Sequence, residues 1–160
     1  MTGFGFRLLA YDTKPETAQA ESDVPIEFVT LAELLTRSDI ISLHLPLTDE
    51  TQGLFSRETF DQMKQGAMLV NTGRGGILET RDALSALKSG QLGYLGIDVY
   101  EHEHGLFFED RSDSVNPDPL LAELLGLPNV LVTGHQAFLT EEALQAIASQ
   151  SMQILSDWEG

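Results

Sequence analysis

Ala67-Met68-Leu69-Val70-Asn71-Thr72-Gly73-Arg74-Gly75-Gly76 joins an aliphatic run to a glycine-rich turn that holds an arginine. A short run without polar alternation reads as a strand covered on both faces, the habit of parallel sheets. Glycines permit unusual backbone angles and let a ligand approach the main chain closely. Arginine offers a planar fork that grips a carboxylate through two hydrogen bonds. Open α/β sheets bind ligands beyond the carboxyl ends of their strands, and Arg74 falls at such an end. A solvated arginine in an ordinary tight turn is the plainer alternative.

The same alternation of apolar run and amphipathic stretch recurs on both sides. Further strands are expected at residues 7–12, 26–29, 40–45, 94–99 and 129–133. This order predicts β-α-β units on a parallel, Rossmann-like α/β sheet with helices on both faces. Thr30 and Glu33 have the spacing of a capping box ahead of Leu31–Arg37. Ser56 is expected to cap a helix running through Gln65, with Gly66 as its left-handed end. Thr80 and Gly90 bracket the next helix in the same way. Thr140 announces a last one, residues 141–158, with two acids in its first turn to suit the helix dipole. The polar stretch 102–119, ending in Asn116-Pro117-Asp118-Pro119, reads as an ordered loop.

A length of 160 residues points to one domain over 1–160. No segment approaches the roughly 18 apolar residues of a membrane span, and no signal peptide is recognised. The absence of cysteine excludes disulfides and thiolate metal sites, and fits a cytoplasmic protein. Acidic residues outnumber basic ones 25 to nine, for a formal net charge of −16. That field disfavours nucleic acid and anionic lipid as partners. It also repels a small anionic substrate, so any such substrate needs a dedicated cation.

Leu8-Leu9-Ala10-Tyr11-Asp12 reads as a strand ending in a carboxylate. In a dinucleotide fold that carboxylate accepts hydrogen bonds from the adenosine ribose. Asp12 would repel a 2′-phosphate, which favours NAD over NADP, although Lys14 lies near; equally, Asp suits a turn. The G-x-G-x-x-G turn that such a fold places roughly 20 residues earlier has no room. Gly3-Phe4-Gly5 is not that turn, because no strand precedes it and no helix follows. The expectation is an N-terminally truncated domain without its first strand and glycine turn. In the strand order 3-2-1-4-5-6 the strands at 7–12 and 40–45 then lose the neighbour between them. Weak NAD binding and poor folding in isolation are expected.

Gly96-Ile97-Asp98-Val99-Tyr100-Glu101-His102-Glu103-His104 ends another strand with alternating acids and imidazoles. His and Glu are also zinc ligands, but no other ligand cluster in the sequence completes a site here. Thr133-Gly134-His135-Gln136-Ala137-Phe138 closes the last strand with a histidine. Three strand ends thus present Arg, Glu and His. Reduction of a 2-oxo acid by hydride needs these types. A cation holds the carboxylate, an imidazolium protonates the carbonyl oxygen, and a carboxylate favours the protonated imidazole.

The strings NTGRGGIL, GIDVYEHE, LFFED and TGHQAFLT resemble the D-isomer-specific 2-hydroxyacid dehydrogenases, and most closely their fermentative bacterial D-lactate members. The resemblance covers nearly the whole chain, including the spacings Arg74 to Glu103 and Glu103 to His135. It implies that Arg74 binds the substrate carboxylate, His135 donates the proton and Glu103 pairs with His135. It further implies NAD contacts from Asp12, Leu45, Pro46, Thr51, Thr72, Gly73 and Asp98, with no metal. A separate substrate domain, built in this family from both chain termini, is expected to be absent. Pyruvate and D-lactate are the expected substrate pair and a homodimer the expected full-length assembly. The alternatives are a dehydrogenase for glycerate or phosphoglycerate, and a non-catalytic NAD-sensing or protein-interaction module of the same fold.

Overall fold

The computed structural model of the chain describes residues 2–16, 24–107 and 118–159. Six strands are seen among them: β1 (Leu8–Ala10), β2 (Ile26–Phe28), β3 (Ile40–Leu43), β4 (Ala67–Asn71), β5 (Leu92–Ile97) and β6 (Val130–Val132). The helices are α1 (Leu31–Arg37), α2 (Arg57–Gln62), α3 (Thr80–Ser89), α4 (Pro119–Leu125) and α5 (Glu141–Glu159). All strand pairs are parallel, but they fall into two sheets, β1-β2 and β3-β4-β5-β6. Among the described residues β1 and β3 are both edge strands and do not pair with each other.

Strands β3 to β6 follow one another across the sheet in chain order. Right-handed crossovers then put the intervening helices on one face. Contacts of α1 with α2, α2 with α3 and α3 with α4 form that layer. Beneath it lie Ile41, Leu43, Leu69, Leu95 and Ile97 from the strands and Phe60, Ala83, Leu87 and Leu124 from the helices. The opposite face carries Ile40, Tyr94 and Leu131, all exposed. Helices on both faces were expected; among the described residues the helix layer covers one face of this sheet.

The helix ends show which local signals hold. The Thr30–Glu33 capping box is formed in both directions. Gly90 ends α3 in the left-handed region, at φ 77°, although the N-cap is Glu79 rather than Thr80. Thr140 Oγ1 accepts the Ala143 N–H at the start of α5. Ser56 takes the N-cap position of α2, yet its hydroxyl donates to Glu58 instead of accepting from the helix. That helix also stops at Gln62, short of Gly66. The Gln91 side-chain amide takes the carbonyls of Phe60 and Met63, which closes the helix early. Gly66 does have φ 78°, but in the turn before β4. The middle of the expected 102–119 loop and part of LFFED lie outside the described residues. No helix among the described residues is long and apolar enough to cross a membrane.

Candidate active site

One row of residues fixes the site. Leu43 pairs with Asn71, Asn71 with Ile97, and Ile97 with Val132, so four strands end level. Neighbouring strands lie about 4.8 Å apart. The segments that follow them, at Leu45-Pro46, Thr72-Gly73-Arg74, Asp98 to Glu103 and Thr133-Gly134-His135, are thereby set side by side at the carboxyl edge.

Arg74 sits at the entrance to a short 3-10 turn, Gly75–Ile77. Its position is held from below by Asn71, whose side chain is fully buried. Asn71 Oδ1 accepts the Gly73 N–H at 3.1 Å, and Nδ2 donates to the Arg74 carbonyl at 3.0 Å. A buried side-chain amide thus clamps both sides of the turn. The Arg74 guanidinium donates to the Gly73 carbonyl; among the described residues no carboxylate pairs with it. In so acidic a chain an exposed, unpaired arginine is a ready anion site.

Glu103 and His135 meet across the edge. Glu103 Oε1 lies 2.9 Å from His135 Nδ1, and Glu103 Oε2 accepts the Tyr100 backbone N–H at 3.0 Å. Both side chains are about three-quarters buried. His135 is the only non-glycine residue with positive φ (54°) among the described residues. Such a conformation persists only where its surroundings enforce it. Here Asp98 does so. Its carbonyl accepts the His135 N–H, and its carboxylate accepts Thr133 Oγ1 and the Gln136 and Ala137 N–H groups. Burial would raise the Asp98 pKa, but those hydrogen bonds and the nearby His135 outweigh it and hold the carboxyl below its ordinary value.

Leu45, Pro46, Thr72, Gly73 and Arg74 line one open cleft of about 600 Å³ with His44 and Leu47. Thr51 stands behind it, its hydroxyl donating to the Pro46 carbonyl and accepting the Thr48 N–H. Asp12 follows β1 and is not among the residues lining that cleft; its Oδ1 accepts the Lys14 N–H in a turn. Asp98 is spent on its internal bonds. His102 packs edge-on against Tyr100. No group of three His, Asp or Glu side chains that could hold a metal occurs among the described residues.

The sequence reading passed over three contributors. Asn71 looked like the last residue of a strand. Tyr100 looked like part of a strand end and Asp118 like part of a loop, yet the Tyr100 hydroxyl donates to Asp118 Oδ2 at 2.8 Å. Gly75 carried a signal that the general reading of glycine did not resolve. A Cβ there would lie 2.1 Å from the Tyr100 carbonyl carbon, so the Arg74 turn and the Tyr100 peptide are in direct contact.

The family model described as D-isomer specific 2-hydroxyacid dehydrogenase, NAD binding domain, matches residues 1–137. The chain belongs to that family. D-lactate dehydrogenase of Escherichia coli (strain K12) is 48% identical over 159 residues, covering 99% of this chain and 48% of that protein. Salmonella D-lactate dehydrogenase superposes with a TM-score of 0.84 at 49% identity, over 99% of this chain and 48% of that one. D-lactate dehydrogenase of Aquifex aeolicus, solved with NAD and lactic acid, gives a TM-score of 0.84 at 32% identity, over 98% and 47%. The chain therefore spans about half the length of these family members.

Proposed function

We propose that this chain is the NAD-binding half of an NAD-dependent D-2-hydroxyacid dehydrogenase that interconverts pyruvate and D-lactate. The observation that carries the reading is the placement of Arg74 and the Glu103–His135 pair on neighbouring strand ends. The nature of the relatives, D-lactate dehydrogenases at close to half identity, narrows the substrate.

The cleft suits a nicotinamide cofactor. Leu45, Pro46 and Leu47 give it an apolar side beside the polar Thr72 and Arg74, and at Gly73 the main chain lies close against the Leu45 carbonyl. Leu45, Pro46, Thr72 and Gly73 would flank the cofactor, with Thr51 fixing the loop that carries Pro46. Asp12 would receive the ribose hydroxyls and Asp98 would stiffen the nicotinamide side through the loop it braces. When bound, NADH supplies the hydride. Arg74 grips the carboxylate of the 2-oxo acid and orients its carbonyl carbon. Glu103 occupies His135 Nδ1, so proton delivery to the carbonyl oxygen falls to Nε2. The Glu103 carboxylate stabilises the imidazolium before transfer. In the reverse direction His135 takes the hydroxyl proton as the 2-hydroxy acid is oxidised.

The test is pyruvate reduction by the full-length protein, followed as NADH oxidation. His135→Gln is expected to lower kcat by about 10²–10⁴-fold. Glu103→Gln is expected to move the high-pH limb of the rate profile to lower pH. An Arg74→Gln variant that reduces pyruvate as fast as the parent would overturn the assignment. A cytoplasmic setting and a homodimer belong to the same proposal. The first is supported by the lack of cysteine, and the second is checked by light scattering.

A further inference from the structure

Tyr100 is buried, 2% exposed, and lies between the two halves of the site. Its backbone N–H donates to Glu103 Oε2, and its carbonyl accepts the Glu103 N–H, so the peptides on both sides of Tyr100 hold the turn that carries the glutamate. The Tyr100–Glu101 peptide packs against Gly75 in the Arg74 turn, where no Cβ would fit. What fixes the Tyr100 backbone is its side chain. The hydroxyl donates to Asp118 Oδ2, while Asp118 Oδ1 accepts the Leu120 and Leu121 N–H groups as the N-cap of α4. One carboxylate is thus shared between a helix start and the phenol.

We propose that Tyr100, anchored on Asp118, is a positioning residue that aims Glu103 at His135. This rests on the reading of Glu103 and His135 given above. A hydroxyl whose proton is engaged by a carboxylate resists ionisation; burial, then the Asp118 hydrogen bond and charge, push the Tyr100 pKa well above its ordinary value. The phenol is thus a permanent donor across the working pH range, which suits an anchor. The helix gives the anchor its rigidity, because α4 is seated in the core through Leu121 and Leu124.

The pair can be cut from either side without unfolding α4. Tyr100→Phe removes the hydroxyl and leaves Asp118 capping the helix. Asp118→Ser keeps an N-cap oxygen but is too short to reach the phenol. In the full-length protein each variant is expected to lower kcat for pyruvate reduction about tenfold, with KM for pyruvate changed less than twofold. Each is also expected to move the high-pH limb of the profile in the direction that Glu103→Gln moves it. Tyr100→Phe combined with Glu103→Gln should be no slower than Glu103→Gln alone, since residues acting through one group are not additive. Wild-type pH behaviour in both single variants, or losses that multiply in the double variant, would overturn the proposal while leaving the dehydrogenase reading intact. A parent protein that does not reduce 2-oxo acids would instead remove the reading on which it stands.

Discussion

Asp98 donates its backbone N–H to the carbonyl oxygen of Asn71 at 2.9 Å, joining two fully buried polar residues back to back. Each faces a different part of the site. Asn71 clamps the turn that presents Arg74, and Asp98 braces the loop that presents His135. The spacing between Arg74 and His135 is therefore set by a polar spine inside the sheet edge. Buried polar groups of this kind stabilise only while every partner is in place.

Asn71→Ala breaks the first half of the spine. The Gly73 N–H and the Arg74 carbonyl lose their partners in a part-buried turn. About 1–3 kcal/mol of stability is expected to go for an unsatisfied buried group, seen as a lower urea midpoint. KM for pyruvate should rise as well, because Arg74 is no longer held. A variant with wild-type KM and midpoint would show that the clamp is idle.

Asp98 gives a pH signature. Its carboxyl is held below the ordinary value of 3.8 in the folded chain. A group depressed in this way contributes stability that is present above its unfolded pKa and is lost as pH falls through the folded one. Asp98→Asn removes that contribution and turns an amide N–H toward the Ala137 N–H. The stability gap between parent and Asp98→Asn is expected to be largest near neutral pH and to narrow from about pH 4 downward. Urea midpoints measured across pH 3 to 7 test this; a gap independent of pH would mean that the charge is not the stabilising element.

Arg74→Lys separates charge from geometry. Lysine keeps the cation but loses the planar fork and the contact with the Gly73 carbonyl. At least a tenfold rise in KM for pyruvate is expected, together with a fall in kcat as the carbonyl is held less well. Unchanged kinetics would mean that any positive charge serves at this position.

Local patterns disclosed a good deal of this molecule. The aliphatic run at Ala67–Asn71 is a strand over that whole span, with Ala67, Leu69 and Asn71 buried in alternation. Thr30 and Glu33 form their box because both partners lie within one turn of chain. Arg74, Glu103 and His135 were legible as residue types at strand ends. Other features depend on distant partners. The early end of α2 depends on Gln91, roughly thirty residues further on. Strand β5 begins at Leu92 rather than Tyr94, since the register slips where Gly93 is pressed against the Gly66 carbonyl. Tyr100 and Asp118 were missed for the same reason, as their side chains meet across 18 residues of chain; Asn71 was missed because a strand pattern does not show that its amide bonds the turn that follows.

Gly75 tests whether the two halves of the site must touch. A methyl group at residue 75 would sit 2.1 Å from the Tyr100 carbonyl carbon and 2.4 Å from the Glu101 nitrogen. These are backbone atoms, so neither can rotate aside as a side-chain end would. Gly75→Ala must push the Arg74 turn away from the Tyr100 peptide, at a cost of about 1–3 kcal/mol. Gly96→Ala is the control, because its nearest neighbour would be a Val70 methyl at 3.8 Å, an ordinary contact. Pyruvate reduction should fall more than tenfold in Gly75→Ala and stay within about twofold of the parent in Gly96→Ala. If both variants keep full activity, the contact is incidental, and Arg74 and Glu103 are positioned independently of each other.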